Sequence, residues 1–156
     1  MHPPEAPNDA RGAALIDPLG YAGLVPLLLL AALLWLVGAE LRPWVAIALS
    51  AYAALIVSFL GGIHWGIGWS AMAVPDARYA PHRRHFLWGV APSLLAWPGL
   101  LMPPDAGLAW LGLVLLVCYL VDRRLYPPAG LGHWLKLRFR LSTVASLCCF
   151  IGAAAL

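Results

Sequence analysis

The chain has 156 residues, 62% of them hydrophobic and only 11% charged, with a formal net charge of +3. A soluble domain carries about twice that charged fraction, so a water-soluble fold is set aside and apolar runs of roughly 17–25 residues, the length that crosses a bilayer, set the organisation. The small positive charge marks membrane orientation once it is placed along the chain, and it does not point to nucleic acid.

Residues 1–18 form a polar, proline-rich tail expected to be poorly ordered in isolation. Asp17-Pro18 reads as a helix start, Asp as N-cap and Pro at the first helical position, and a first span follows over residues 19–37. Pro26 removes a backbone donor inside that run and predicts a kink near Ala22. The run closes on Val37-Gly38-Ala39, which resembles a leader cleavage site. The stretch before it sets Arg11 against Glu5, Asp9 and Asp17 and lacks a basic start, so the first span is expected to be retained.

A second span over residues 44–71 opens at Pro43-Trp44 and stops before Pro75. It is longer than about 30 Å of hydrocarbon requires, so it tilts or projects into the interface. Pro75 to His85 reads as a polar loop, and a third span over 86–102 is bent by Pro92 and Pro98. Pro103-Pro104-Asp105 turns the chain into a fourth span, 107–121, closed by Asp122, Arg123 and Arg124. The segment YPPAGLGHWLKLRFR reads as a loop, with Trp134 to Arg140 along the interface, before a fifth span over 141–156. The three cysteines, Cys118, Cys148 and Cys149, lie inside apolar runs without CxxC spacing and read as small packing residues.

Five spans place Arg11, Arg78, Arg83, Arg84, Arg123, Arg124, Lys136, Arg138 and Arg140 on one side of the membrane and Arg42 alone on the other. Lys and Arg concentrate on the cytoplasmic side. The expected architecture is therefore an all-α integral membrane bundle of five transmembrane helices over residues 19–156, with a cytoplasmic N-terminus, a C-terminus on the opposite side and the second helix central.

The centre of that helix, FLGGIHWGIGW, holds the unusual residues. Every fourth position of the span is small: Ala46, Ser50, Ala54, Ser58, Gly62, Gly66 and Ser70. In lipid such a row lets backbones approach closely, and it predicts that Gly62→Leu breaks assembly by overpacking. Gly61 and Gly68, three before and four after His64, supply a second small face. Trp44, Trp65 and Trp69 suit the membrane–water boundary.

Counted from Trp44 at 1.5 Å per residue, His64 lies about 30 Å inward, near the cytoplasmic edge of the hydrocarbon. Asp17, Tyr119, Asp122, Arg138, Arg140, Ser142 and Thr143 arrive at a similar depth. Ionisable groups there face the bundle interior and find partners, so His64 is expected to bond within this layer, to Asp122 first and Tyr119 second. A histidine that only holds helices together is the plainer alternative to one that does chemistry. His82 and His85 could join it as metal or haem ligands only if their Arg-rich loop folds back; no cofactor is expected. A Ser-His-Asp set, a phosphate-cradling glycine loop and paired carboxylates are all missing, so no catalytic residue is named and an enzyme is not expected.

LGYAGLVP at 19–26, SFLGGIHWG at 58–66, and the pattern Asp122…Trp134…Leu137-Arg138…Leu141-Ser142-Thr143 resemble the transmembrane protein 69 family, also known as domain of unknown function 3429. The resemblance covers roughly Leu19 to Ala153. It departs at Phe139-Arg140-Leu141-Ser142-Thr143, where a Leu-Pro-Leu-Thr-like sequence is the family's pattern. It implies a small multi-span inner-membrane protein without an established activity. Two functional classes follow. One is a structural, assembly or accessory component that meets the lipid bilayer and docks to a membrane-protein partner or a second copy. The other is a small transporter or proton-linked permease built on the His64 layer.

Overall fold

The computed structural model describes residues 7–73 and 82–156. Six α-helices follow in order: α1 Pro7–Ala22, α2 Val25–Leu36, α3 Arg42–Met72, α4 His82–Leu101, α5 Pro104–Leu125 and α6 Leu135–Ala153, the last preceded by a 3₁₀ turn at Gly132–Trp134. The described residues contain no strand. Among the described residues three stretches are long and apolar enough to cross a membrane: Ala14–Leu36, Arg42–Met72 and Pro104–Leu125. α4 and α6 have 20 and 19 residues but open on the charged turns HRRH and LKLRFR.

Helix α3 packs against α2, α4, α5 and α6. It approaches α4 most closely where Gly61 faces Gly89: a Cβ on Gly61 would enter the Gly89 carbonyl, and one on Gly89 would enter the Trp65 indole. Leu27, Leu34, Leu49, Leu108 and Leu111 are fully buried between the helices, with Cys118, Cys148 and Cys149 as free thiols among them. Leu28, Leu55, Leu94, Leu113 and Leu147 point outward and are half or more exposed. So much outward apolar surface suits lipid and not water.

Several boundaries differ from the sequence expectation. Asp17-Pro18 lies inside α1, which begins ten residues before Asp17, at Pro7; both residues are exposed, so the ring is accommodated on the outer side of the helix. The kink near Ala22 is a break, with Gly23 and Leu24 between α1 and α2. Pro26 then falls in the first turn of α2, where its missing N–H is no loss. Tyr52 Oη donates to the Gly23 carbonyl at 3.0 Å and ties the break to α3. Asp122, Arg123 and Arg124 belong to the last turn of α5 and do not follow it. Helix α4 already includes His85, and α6 starts six residues before Leu141. Alternating leucine and basic residues in LKLRFR look like an interfacial loop; they wind into helix because Arg138 finds a buried partner, described below. The expected loop over 75–81, with Arg78, lies outside the described residues, as do residues 1–6.

The small-residue row is also corrected. Ala46, Ser50 and Ala54 are buried and Ser58 partly so, but Gly62, Gly66 and Ser70 are exposed, and a Cβ on either glycine meets nothing within 4 Å. A row of every fourth residue drifts about 40° per step on a helix of 3.6 residues per turn, which carries its second half off the packed face. Gly61 and Gly68 take over: both are buried, Gly68 against the Phe86 ring.

Candidate functional site: a buried carboxylate, histidine and arginine cluster

Each of the four helices α3 to α6 contributes one polar side chain to a single cluster. His64 of α3 is 0% exposed, His85 of α4 and Asp122 of α5 each 1%, and Arg138 of α6 6%. The helical stripes explain how they arrive. On α5, Leu108, Leu111, Leu115 and Cys118 are buried at helical spacing, and Asp122 is the next position of that stripe. On α6, Arg138 opens the stripe that continues through Ser142, Ala145 and Cys149. The α3–α4 pair is set by its glycines. His64 follows Gly61 by three residues and His85 precedes Gly89 by four, so the close antiparallel approach of the two glycines brings the rings together one turn on.

The geometry is closed. Asp122 Oδ1 stands 2.8 Å from His64 Nε2, and Asp122 Oδ2 accepts from Arg138 Nε at 3.0 Å and Nη2 at 2.5 Å. His64 Nδ1 lies 2.9 Å from His85 Nδ1, the two rings stacked at 26° with centroids 5.2 Å apart. An ionised carboxylate only accepts, so His64 Nε2 carries the proton of that bond. Two facing Nδ1 atoms share one proton, so one imidazole donates and the other accepts. The Asp122–Arg138 pair balances its own charge and is charge-assisted, the stronger class of hydrogen bond.

Tyr126, the residue after α5, closes the cluster on one side. Its ring lies 5.5 Å from the His64 ring and is fully buried. Its hydroxyl finds no hydrogen-bond partner among the described residues. Burial pushes the phenol up to about 12; the Asp122 charge adds to this and the Arg138 guanidinium opposes it.

The other residues expected in the layer stand apart. Tyr119 is half-buried and packs its ring on Phe139, centroids 5.5 Å apart, so it is not a partner of His64. Arg140 is exposed and donates from Nη1 to Tyr21 Oη at 3.3 Å. Two residues beyond Arg138 means about 200° around α6, which turns Arg140 away. Thr143 is half-buried and takes no part in the cluster's hydrogen bonds. Tyr126 is the cluster member that the sequence did not single out, and His85 was expected near His64 only as a metal or haem ligand, not as its hydrogen-bond partner. For His85 a signal existed, a glycine about one helical turn from each ring, three residues before His64 and four after His85; for Tyr126 we find none. His85 does reach His64, because its segment is helix and not loop. Both His64 nitrogens are already committed to protein partners, and no group of three or more metal-ligating side chains suited to an ion occurs among the described residues.

An all-helical chain with membrane-length apolar helices and an ion pair sealed at one end of the bundle is a membrane protein. The chain belongs to the family described as Protein of unknown function (DUF3429), which matches residues 13–154. It is similar to Transmembrane protein 69 of Xenopus tropicalis, 34% identical over 154 residues, which is 96% of this chain and 56% of that protein. The chain thus spans little more than half the length of this curated relative. No solved structure matches it.

Proposed function

We propose that the chain crosses a bacterial inner membrane five times, N-terminus cytoplasmic and C-terminus periplasmic, and serves as a structural or assembly component of a larger membrane complex. The observation that carries this reading is the saturation of the cluster. Both oxygens of Asp122 and both nitrogens of His64 bond to side chains of neighbouring helices, so the polar groups clasp α3, α4, α5 and α6 and present no open ligand to a substrate.

The five-span map draws support from α4 and α6, whose 20 and 19 residues reach about 30 Å at 1.5 Å per residue, the hydrocarbon thickness. Arg83 and Arg84 open α4, Arg123 and Arg124 close α5, and Lys136 opens α6, all exposed. In an antiparallel bundle these ends fall on one side. Arg138 leaves that tally because it is an internal ion pair. The outward Gly62, Gly66 and Ser70 of α3 suit close approach by a further helix, and the curated relative bears a transmembrane name.

Co-purification from native membranes in a gentle detergent tests the assembly role. A defined partner set is expected with the wild type and is expected to be lost on Gly66→Leu, whose site is open within the monomer. A lone, unaccompanied species would count against it. The second reading, a proton-linked permease, is favoured by the Asp122–His64–His85 chain, whose 2.8 and 2.9 Å contacts offer a path for a proton. Proteoliposomes with an internal pH dye separate the two: proton uptake abolished by His64→Ala would establish the permease.

A further inference from the structure

Beside the cluster the bundle holds a cavity of about 490 Å³, between the α1–α2 break, α3, α5 and α6. That volume lies within the range of ligand pockets. Its deeper wall includes Leu27, Leu60, Leu115 and Ala145, which are between 0 and 5% exposed, so it is a slot into the bundle and not part of its outer surface. Gly20 and Gly23 line it; a Cβ on Gly20 would press on the Leu141 side chain, while one on Gly23 meets only backbone carbonyls.

The lining is apolar except at the α6 end. There Arg138 and Ser142 reach it, next to the indole of Trp134. Ser142 is 3% exposed and its Oγ has no hydrogen-bond partner. That oxygen has almost no accessible surface on the slot, and Ser50 and Ser146, which do not line it, are unpaired in the same way, so the hydroxyl does not mark a ligand. Arg138 can only donate, and its charge is already balanced by Asp122. What fits such a lining is an aliphatic chain whose polar head stays outside the slot. Just outside, Lys136 and Arg140 are exposed and one turn apart on α6, each next in sequence to a lining leucine, Leu137 or Leu141. Exposed basic side chains at the end of a membrane helix attract anionic headgroups.

We infer that this slot is an acyl-chain site for an anionic glycerophospholipid. One acyl chain lies against Leu27, Leu60 and Leu115, and the phosphate sits on Lys136 and Arg140. The site is separate from the clasp's role in assembly and stands or falls independently of it.

The probe is a phosphatidylglycerol with a photoactivatable diazirine on one acyl chain, present as a minor component of phosphatidylcholine vesicles holding the full chain. After irradiation, with the label mapped residue by residue, it is expected on Leu27, Leu60 or Ala145 themselves, which the surrounding bilayer does not reach. Gly23→Leu fills the slot, since a Cβ there meets only the Gly20 and Leu19 carbonyls at the end of α1, the nearer at 3.4 Å, and it is expected to abolish that label. The same diazirine chain on phosphatidylcholine is expected to label the slot less, and Lys136→Gln with Arg140→Gln to erase that difference. Label confined to outward residues such as Leu28 and Leu55, or slot label unchanged by Gly23→Leu, would overturn the site. Equal labelling by the two headgroups in wild type would overturn the anionic preference. Label on the outward residues, unchanged between variants, confirms that each variant is folded in the vesicle.

Discussion

Asp122→Asn keeps the side-chain volume and removes one charge from the centre of the cluster. The carboxylate accepts Arg138 Nε and Nη2 at 3.0 and 2.5 Å and holds His64 Nε2 at 2.8 Å, at 1% exposure. An asparagine presents one oxygen and one NH₂ to three N–H groups, so at least one donor faces another donor and the guanidinium loses its counter-charge. Removing one partner of a buried pair costs about 3–5 kcal/mol. At about 1.4 kcal/mol per decade that lowers the folded-to-unfolded ratio by between two and four decades. The assay is reversible unfolding in mixed micelles as the denaturing detergent fraction rises, followed by far-UV circular dichroism and tryptophan fluorescence. Asp122→Leu combined with Arg138→Met removes both charges together. It is expected to be less destabilised than Asp122→Asn alone, because apolar replacement of a whole buried pair is often neutral. An Asp122→Asn protein within about 1 kcal/mol of wild type, below the range for a broken buried pair, would refute the clasp.

Gly61→Ala drives a methyl into the Gly89 backbone and is expected to cost about 1–3 kcal/mol in the same assay. Gly62→Ala meets open space and is expected to be neutral or to gain up to about 1 kcal/mol of helix propensity. His85→Phe keeps a ring of similar size but leaves His64 Nδ1 without its partner, a loss of about 1–3 kcal/mol read from the same curves. Tyr126→Phe removes a buried hydroxyl that has no partner, so stability at neutral pH is expected to hold or rise slightly. It also changes the alkaline limb. The folded phenol is held at about 12 against 10.0 ordinarily, so as pH rises past 10.0 the unfolded chain releases its proton first and wild-type stability falls until about 12. In Tyr126→Phe that contribution is expected to vanish, which phenolate absorbance and unfolding curves check together.

The gross organisation was readable because apolar length and proline punctuation are one-dimensional signals. The runs around α2, α3 and α5 and the breaks at Pro43 and Pro103-Pro104 needed no knowledge of neighbours. Helix ends were harder, since Asp17-Pro18, HRRH and LKLRFR carry local signals of start, loop and interface that tertiary contacts override. The His64–Asp122 contact was legible from depth along two helices. His85 was not, because its place depends on which face of α4 meets α3, and that is decided by Gly61 and Gly89, two glycines among several that look alike in sequence. Arg138 was read among the basic residues of the layer and counted with the cytoplasmic charges, yet its position at the head of the Ser142, Ala145, Cys149 stripe marks it as internal. The row through Gly62 and Gly66 misled for the opposite reason: regular spacing in sequence does not stay on one face over six steps.

The account rests on five crossings with the cluster near the cytoplasmic end. Two fusions at Leu156 test that most directly, one to a reporter that works only after export and one to a reporter that works only in the cytosol. The export-dependent fusion is predicted to be active and the cytosolic one silent; an active cytosolic reporter at Leu156 would contradict the map.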